Sequence, residues 1–198
     1  LQPSPAPPIT RTYQVLGEQR LTISVDQEAP ELAPTDVSAR VASDRPILVE
    51  RSMYLDAQSP LQLISAGHAG AAVSAAAPRW FLAEGATGSF FDLYYLIANP
   101  SSQDTRVRVT YLLPSGAPVV REYDVRRESR ITISVDYEDP RFENTPVSAI
   151  VESLDATGIV VERSMWWPGQ GNWQEGHLAA GVTATSTLAA TTVAPATP

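Results

Sequence analysis

Apolar and polar residues alternate with a period of two through most of this chain, and strands follow from that pattern. In Arg130 to Asp136, the residues Ile131, Ile133 and Val135 share one face, while Thr132, Ser134 and Asp136 share the other. Leu21, Ile23 and Val25 repeat the arrangement earlier in the chain. Seven strands are predicted in the second half: Trp80 to Ala83, Phe91 to Ala98, Arg106 to Leu113, Val119 to Val125, Arg130 to Asp136, Val147 to Ser153 and Ile159 to Trp167. Gly85-Ala86-Thr87-Gly88, Asn99-Pro100-Ser101-Ser102, Pro114-Ser115-Gly116 and Asp139-Pro140 separate them as breakers. No stretch carries the 3.6-residue period of a long amphipathic helix. Short strands with turns every 8 to 12 residues predict an all-β fold, an antiparallel sandwich of immunoglobulin-like architecture, with a jelly roll or barrel as the alternatives.

The pattern occurs twice. Arg11 to Asp26 lies over Arg121 to Asp136 with ten of sixteen positions identical. Val37-Ser38-Ala39 recurs as Val147-Ser148-Ala149, Val49-Glu50-Arg51-Ser52-Met53 as Val161-Glu162-Arg163-Ser164-Met165, and Gly67-His68 as Gly176-His177. The second repeat has a leading section, Arg79 to Pro118, for which the first has no counterpart beyond the Pro-rich Leu1 to Pro8. The expected organisation is a Pro-rich linker over 1–10, an incomplete first sandwich repeat over 11–77, a complete one over 78–184 and a Thr/Ala/Pro-rich tail over 185–198. About four strands in the first repeat are too few to close a sandwich. Either the chain is cut from a longer tandem array, or its apolar face is covered by the preceding module of a longer protein, a swapped segment of another subunit or strand addition by an extended tail; head-to-tail donation by a neighbouring chain would build an open filament. Thr185 to Val193 also alternates and is a candidate added strand.

Composition narrows the function. The chain has 198 residues and no Cys, so no disulfide framework and no thiolate metal site hold it together. All 14 basic residues are Arg, and 22 acids give a net charge of −8, which argues against nucleic acid as a partner. No run of roughly 20 apolar residues predicts membrane insertion. Leu1 opens no signal-type segment, as expected of a mature chain or a fragment. No cofactor is expected.

The string Arg79-Trp80-Phe81-Leu82-Ala83-Glu84-Gly85, followed by Leu96-Ile97-Ala98-Asn99-Pro100, Ile133-Ser134-Val135-Asp136 and Val161-Glu162-Arg163-Ser164-Met165-Trp166, resembles a repeat of large bacterial surface and secreted proteins. The resemblance covers nearly all of 79–183, and its latter half fits 11–74. It implies an extracellular or cell-surface, tandemly arrayed β-sandwich module with no catalytic residues to carry over. The first repeat departs from it at Tyr54-Leu55, where the second has Trp166-Trp167.

Four groups of residues carry candidate chemistry. Trp166, Trp167 and Trp173 around the turn at 168–172 suit sugar rings, which stack on flat aromatic faces; a carbohydrate-binding module is the alternative to a structural one. Arg51 and Arg163 fall in otherwise apolar rows and call for ion pairing or aromatic stacking. Asp136, Glu138 and Asp139 supply oxygens in one turn and are weak calcium candidates, without the spacing of an EF-hand. His68 and His177 read as hydrogen-bonded loop residues. Glu84, Asp92, Glu152, Glu162 and Glu175 contain no distinguishable pair for glycoside hydrolysis. A non-enzymatic module is expected, with self-association or neighbouring modules as its partners.

Overall fold

The computed structural model describes residues 7–55, 66–168 and 174–183. Among the described residues ten strands run β1 (Glu50–Leu55), β2 (Ala66–Ala71), β3 (Arg79–Leu82), β4 (Asp92–Asn99), β5 (Thr105–Leu112), β6 (Val119–Val125), β7 (Ser129–Ser134), β8 (Ser148–Ser153), β9 (Val160–Pro168) and β10 (Gln174–Ala180). Every pairing is antiparallel. One four-stranded sheet has the order β10-β9-β4-β7, a second β3-β8-β5-β6, and β1 and β2 form a separate hairpin.

The two four-stranded sheets pack face to face as a β-sandwich. The alternation that predicts the strands is the alternation of burial: β4 and β5 point every second side chain inward, so Leu93, Tyr95, Ile97, Val107, Val109 and Tyr111 are wholly buried. Val125, Ile133, Val135, Phe142, Val147, Val151, Ile159 and Val161 complete the core from the remaining strands and turns. The rings of Tyr95 and Tyr111 stack at 6.0 Å in its centre.

Three details differ from the sequence reading. The strand predicted over Arg130 to Asp136 stops at Ser134, where the chain enters a 3₁₀ turn, Val135–Tyr137. Asp136 is thereby swung under the 85–93 loop, accepting hydrogen bonds from the amides of Gly88 (3.0 Å) and Leu93 (2.9 Å). An eighth strand, β10, follows the seven predicted; its Gly-His-Leu-Ala-Ala sequence has too few large apolar residues to show a period of two. His177 accordingly sits in a strand, as does His68 in β2, and neither is in a loop.

The third difference concerns the first repeat, whose described residues hold one hairpin in place of about four expected strands. No strand lies among residues 7–49. The topology of the second repeat explains why. There β6 pairs only with β5, β7 only with β4, and β8 only with β3 and β5. All those partners belong to the leading section, Arg79 to Pro118. Without it, the only pair that survives is β9 with β10, whose counterpart in the first repeat is β1 with β2.

Candidate interaction face of the first repeat

Although unpaired, residues 11–28 keep the backbone course of 121–138. Glu18 and Glu128 both take positive φ, at 58° and 49°. Ser24 (φ −87°, ψ 96°) matches Ser134 (−85°, 101°), and each precedes a 3₁₀ turn, Val25–Gln27 or Val135–Tyr137. Arg11 Nη2 donates to the Glu28 carbonyl at 2.9 Å, as Arg121 Nη2 donates to that of Glu138 at 3.0 Å. Local sequence alone therefore sets this stretch's shape.

Its apolar side chains are left outside. Ile23 is 40% exposed where Ile133 is 4%; Val25 is 43% exposed where Val135 is 0%; Val41 is 57% exposed where Val151 is 0%. Val15, Leu21 and Ile47 continue the row of exposed core-type residues. Together they form an exposed apolar row.

The β1–β2 hairpin rests on β9 and β10. Arg51 Nη1 pairs with the Glu162 carboxylate at 3.0 Å, and His68 Nε2 lies 2.7 Å from the Leu178 carbonyl. The His68 ring stacks on His177 at 5.2 Å. Burial, and after it the neighbouring His177 and Arg51, push the His68 pKa below its ordinary value, against the pull of Glu162. Met53, Tyr54, Gly67, His68, Trp166 and Leu178 enclose a cavity of about 190 Å³ between the two hairpins. Cross-strand register puts Arg51, Met53, His68 and Gly70 on one face of the hairpin. Their counterparts in the second repeat include Arg163 and Met165, which face or flank the core. The first repeat thus lays the face meant for its own interior on the outside of the second.

The residues singled out by sequence are dispersed. Trp166 and Trp167 are consecutive on β9, so they point to opposite faces and share no platform. Trp166 lines the cavity between the hairpins, while Trp167 donates to Glu175 Oε2 at 2.8 Å and meets Phe91 edge-on. Trp173 lies outside the described residues, as does the Thr185 to Val193 segment. Arg163 is buried and donates to the Glu84 carbonyl at 2.5 Å, with the Glu84 carboxylate 3.4 Å away. It ties the 84–85 loop to the sheet. Arg51 makes the half-buried ion pair with Glu162 already described.

The oxygens of Asp136, Glu138 and Asp139, the weak calcium candidates, turn to separate protein partners. Asp136 accepts from two amides, Glu138 accepts from Tyr123 Oη at 2.5 Å, and Asp139 accepts from Arg141 and Arg121. The side chain and amide of Arg141, with Arg121 behind them, hold the Asp139 carboxyl far below the usual carboxylate range. Among the described residues no group of three or more His, Asp or Glu gathers around a common point. Of the acids weighed for hydrolysis, Glu152 pairs with Arg79 and Glu162 with Arg51, Glu175 accepts from Trp167, and Glu84 meets Arg163. Asp92 borders an open hollow of about 280 Å³ with Asp136, Glu143 and Asn144.

The apolar face and the absence of a counterpart to Arg79 to Pro118 were legible in the sequence, but not the central place of β4 and β5 in the two sheets. That information lies in the pairing order, which a list of strands does not contain. No family model matches the chain, and no curated protein matches it. Among solved structures, it is similar to the crystal structure of Thermotoga maritima 1070, with 20% identity and a TM-score of 0.49 over 54% of this chain and 94% of that one. It is also similar to the Anabaena sensory rhodopsin transducer, with 20% identity and a TM-score of 0.40 over 46% of this chain and 99% of that one.

Proposed function

We propose that this chain is a non-enzymatic structural and interaction module, immunoglobulin-like in its strand pairing, that works outside the cell as part of a bacterial surface protein and assembles by strand complementation. The observation that carries the reading is the exposed row Val15, Leu21, Ile23, Val25, Val41 and Ile47, whose counterparts in the second repeat form or flank a closed core. Placing that row against another polypeptide gains the burial that folding alone does not provide, roughly 1.5–3 kcal/mol for each large apolar side chain fully covered. The interlocked pairs β4 with β7 and β5 with β8 support the immunoglobulin-like description. The sequence resemblance supports the extracellular location.

The test is association measured by sedimentation across a wide concentration range. The parent chain is expected to associate through the row, and the double variant Leu21→Glu, Ile23→Glu to sediment as a monomer with the melting of the second repeat unchanged. A dilution-resistant parent monomer, indifferent to those changes, contradicts the reading. The carbohydrate alternative draws on Trp166, Trp167 and Trp173, of which Trp166 and Trp167 share no face and Trp173 lies outside the described residues. A tryptophan fluorescence shift on titration with cell-wall or plant polysaccharides would favour it over the structural role.

A further inference from the structure

We propose that the cavity between the β1–β2 and β9–β10 hairpins is a binding site for a small, neutral, planar aromatic molecule of the size of indole. Its walls come from both repeats, so a bound ring joins them.

Two flat rings frame the space, one from each repeat. Tyr54 is the cross-strand partner of Gly67, and Trp166 that of Gly176, and all four residues line the cavity. A Cβ at Gly67 would stand 3.1 Å from the Tyr54 ring, and one at Gly176 would stand 2.5 Å from the Trp166 ring. Each ring therefore lies against the bare backbone of its glycine, a place that a larger residue would deny it. The two hairpins bring matching aromatic and glycine pairs to one cavity, although one repeat has Tyr where the other has Trp. Aromatic walls of this kind attract a further ring in offset-stacked or edge-on contact, with centroids about 4.5–7 Å apart.

The rest of the wall sets the chemistry of the ligand. Met53 and Leu178 add apolar surface, and the polarisable Met53 thioether suits contact with an aromatic edge. Among the described residues no carboxylate and no guanidinium lines the cavity. His68 contributes an imidazole whose Nε2 is engaged by the Leu178 carbonyl at 2.7 Å, and burial, ahead of His177 and Arg51, favours its neutral form. Charged molecules and sugars, which need several polar partners, gain little against such a wall. An apolar cavity of about 150 Å³ stays dry and takes up benzene. At about 190 Å³ this one suits a slightly larger ring.

The site also sits where it can lock the two repeats together. Small-molecule sites favour junctions between folded units, and this one adjoins the pair of Arg51 with Glu162 and the stack of His68 on His177. Tyr54 is 73% exposed, so its ring stands at the rim and gains cover when the site fills. A ligand that binds only the joined hairpins strengthens their contact as its concentration rises above its dissociation constant.

The chain has two methionines, of which Met53 lines the cavity and Met165 packs against the core of the second repeat. Methyl NMR of the whole 198-residue chain, labelled at methionine and titrated with indole above the ordinary histidine pKa, reads the two separately. The Met53 signal is expected to shift and saturate while Met165 holds still, and glucose to move neither. Tyr54→Ala is expected to weaken binding at least about tenfold, the loss of one aromatic contact and its buried area. Tyr54→Phe, which keeps the ring, is expected to restore it. A Met53 signal that does not saturate up to the solubility of indole overturns the proposal, as does equal affinity in the parent and Tyr54→Ala. A Met165 shift as large as that of Met53 places the ring elsewhere and overturns it. Saturation that emerges only after Trp173→Ala overturns it too, because the chain's own ring then holds the place.

Discussion

Ile23 and Ile133 occupy one place in two repeats and differ only in what covers them, so they measure what the missing strands are worth. Ile133→Ala is expected to destabilise the chain by about 2–5 kcal/mol, the usual cost of emptying a packed aliphatic site. Ile23→Ala is expected to change stability by no more than about 0.5 kcal/mol, as at other exposed positions. Paired denaturant titrations check both values, and equal losses would mean that the first repeat has a core of its own. Asp139 gives a second test at this scale. Its folded pKa lies below its unfolded one, so the stability it contributes is full above about pH 4 and is lost as pH falls through the depressed folded value. Acid melts of the parent are expected to drop below pH 4 more steeply than those of Asp139→Asn, and parallel curves would refute the role. Inward and outward residues were legible in the sequence because burial follows the period of two. The partners of the acidic turn were not. Asp136, Glu138 and Asp139 form a cluster on paper, and only the 3₁₀ turns that direct them apart show that they serve three separate contacts.

At the scale of elements, the contact between the β1–β2 and β9–β10 hairpins is the one that solution conditions can shift. His68 is held below its ordinary pKa by burial and by His177, so this contribution is present above about pH 6.5 and is lost as pH falls below it and the ring takes a proton. Fluorescence of Trp166, which lines the shared cavity, is expected to change between pH 7 and 5 in the parent and to stay flat in His68→Gln. A change of equal size in both would place the transition elsewhere. Gly176 offers an independent handle. A Cβ at this position would stand 2.5 Å from the Trp166 ring, so Gly176→Ala is expected to displace that ring and cost about 1–3 kcal/mol. Unchanged melting and tryptophan emission would refute it. Seven of the eight sandwich strands were legible from alternation to within one or two residues. The eighth, β10, is built of small residues, and its place is fixed by pairing with β9.

For the whole molecule, one connectivity decides the behaviour of two nearly equal sequences. Apart from the β9–β10 pair, the strands of the trailing half have partners only in the leading section, so β6, β7 and β8 join the two sheets of the second repeat and their counterparts in the first stand unpaired. Repetition in the sequence made the kinship visible. It left unsaid that the missing strands are the central ones, because pairing order is set by long-range packing and not by local pattern. Residue-resolved hydrogen exchange on the dilute 198-residue chain tests this most directly. Strong protection is expected for the amides of Val119 to Val125 and Ser129 to Ser134, and near-unprotected exchange for the matching Ile9 to Val15 and Gln19 to Ser24. Comparable protection in both repeats would contradict it.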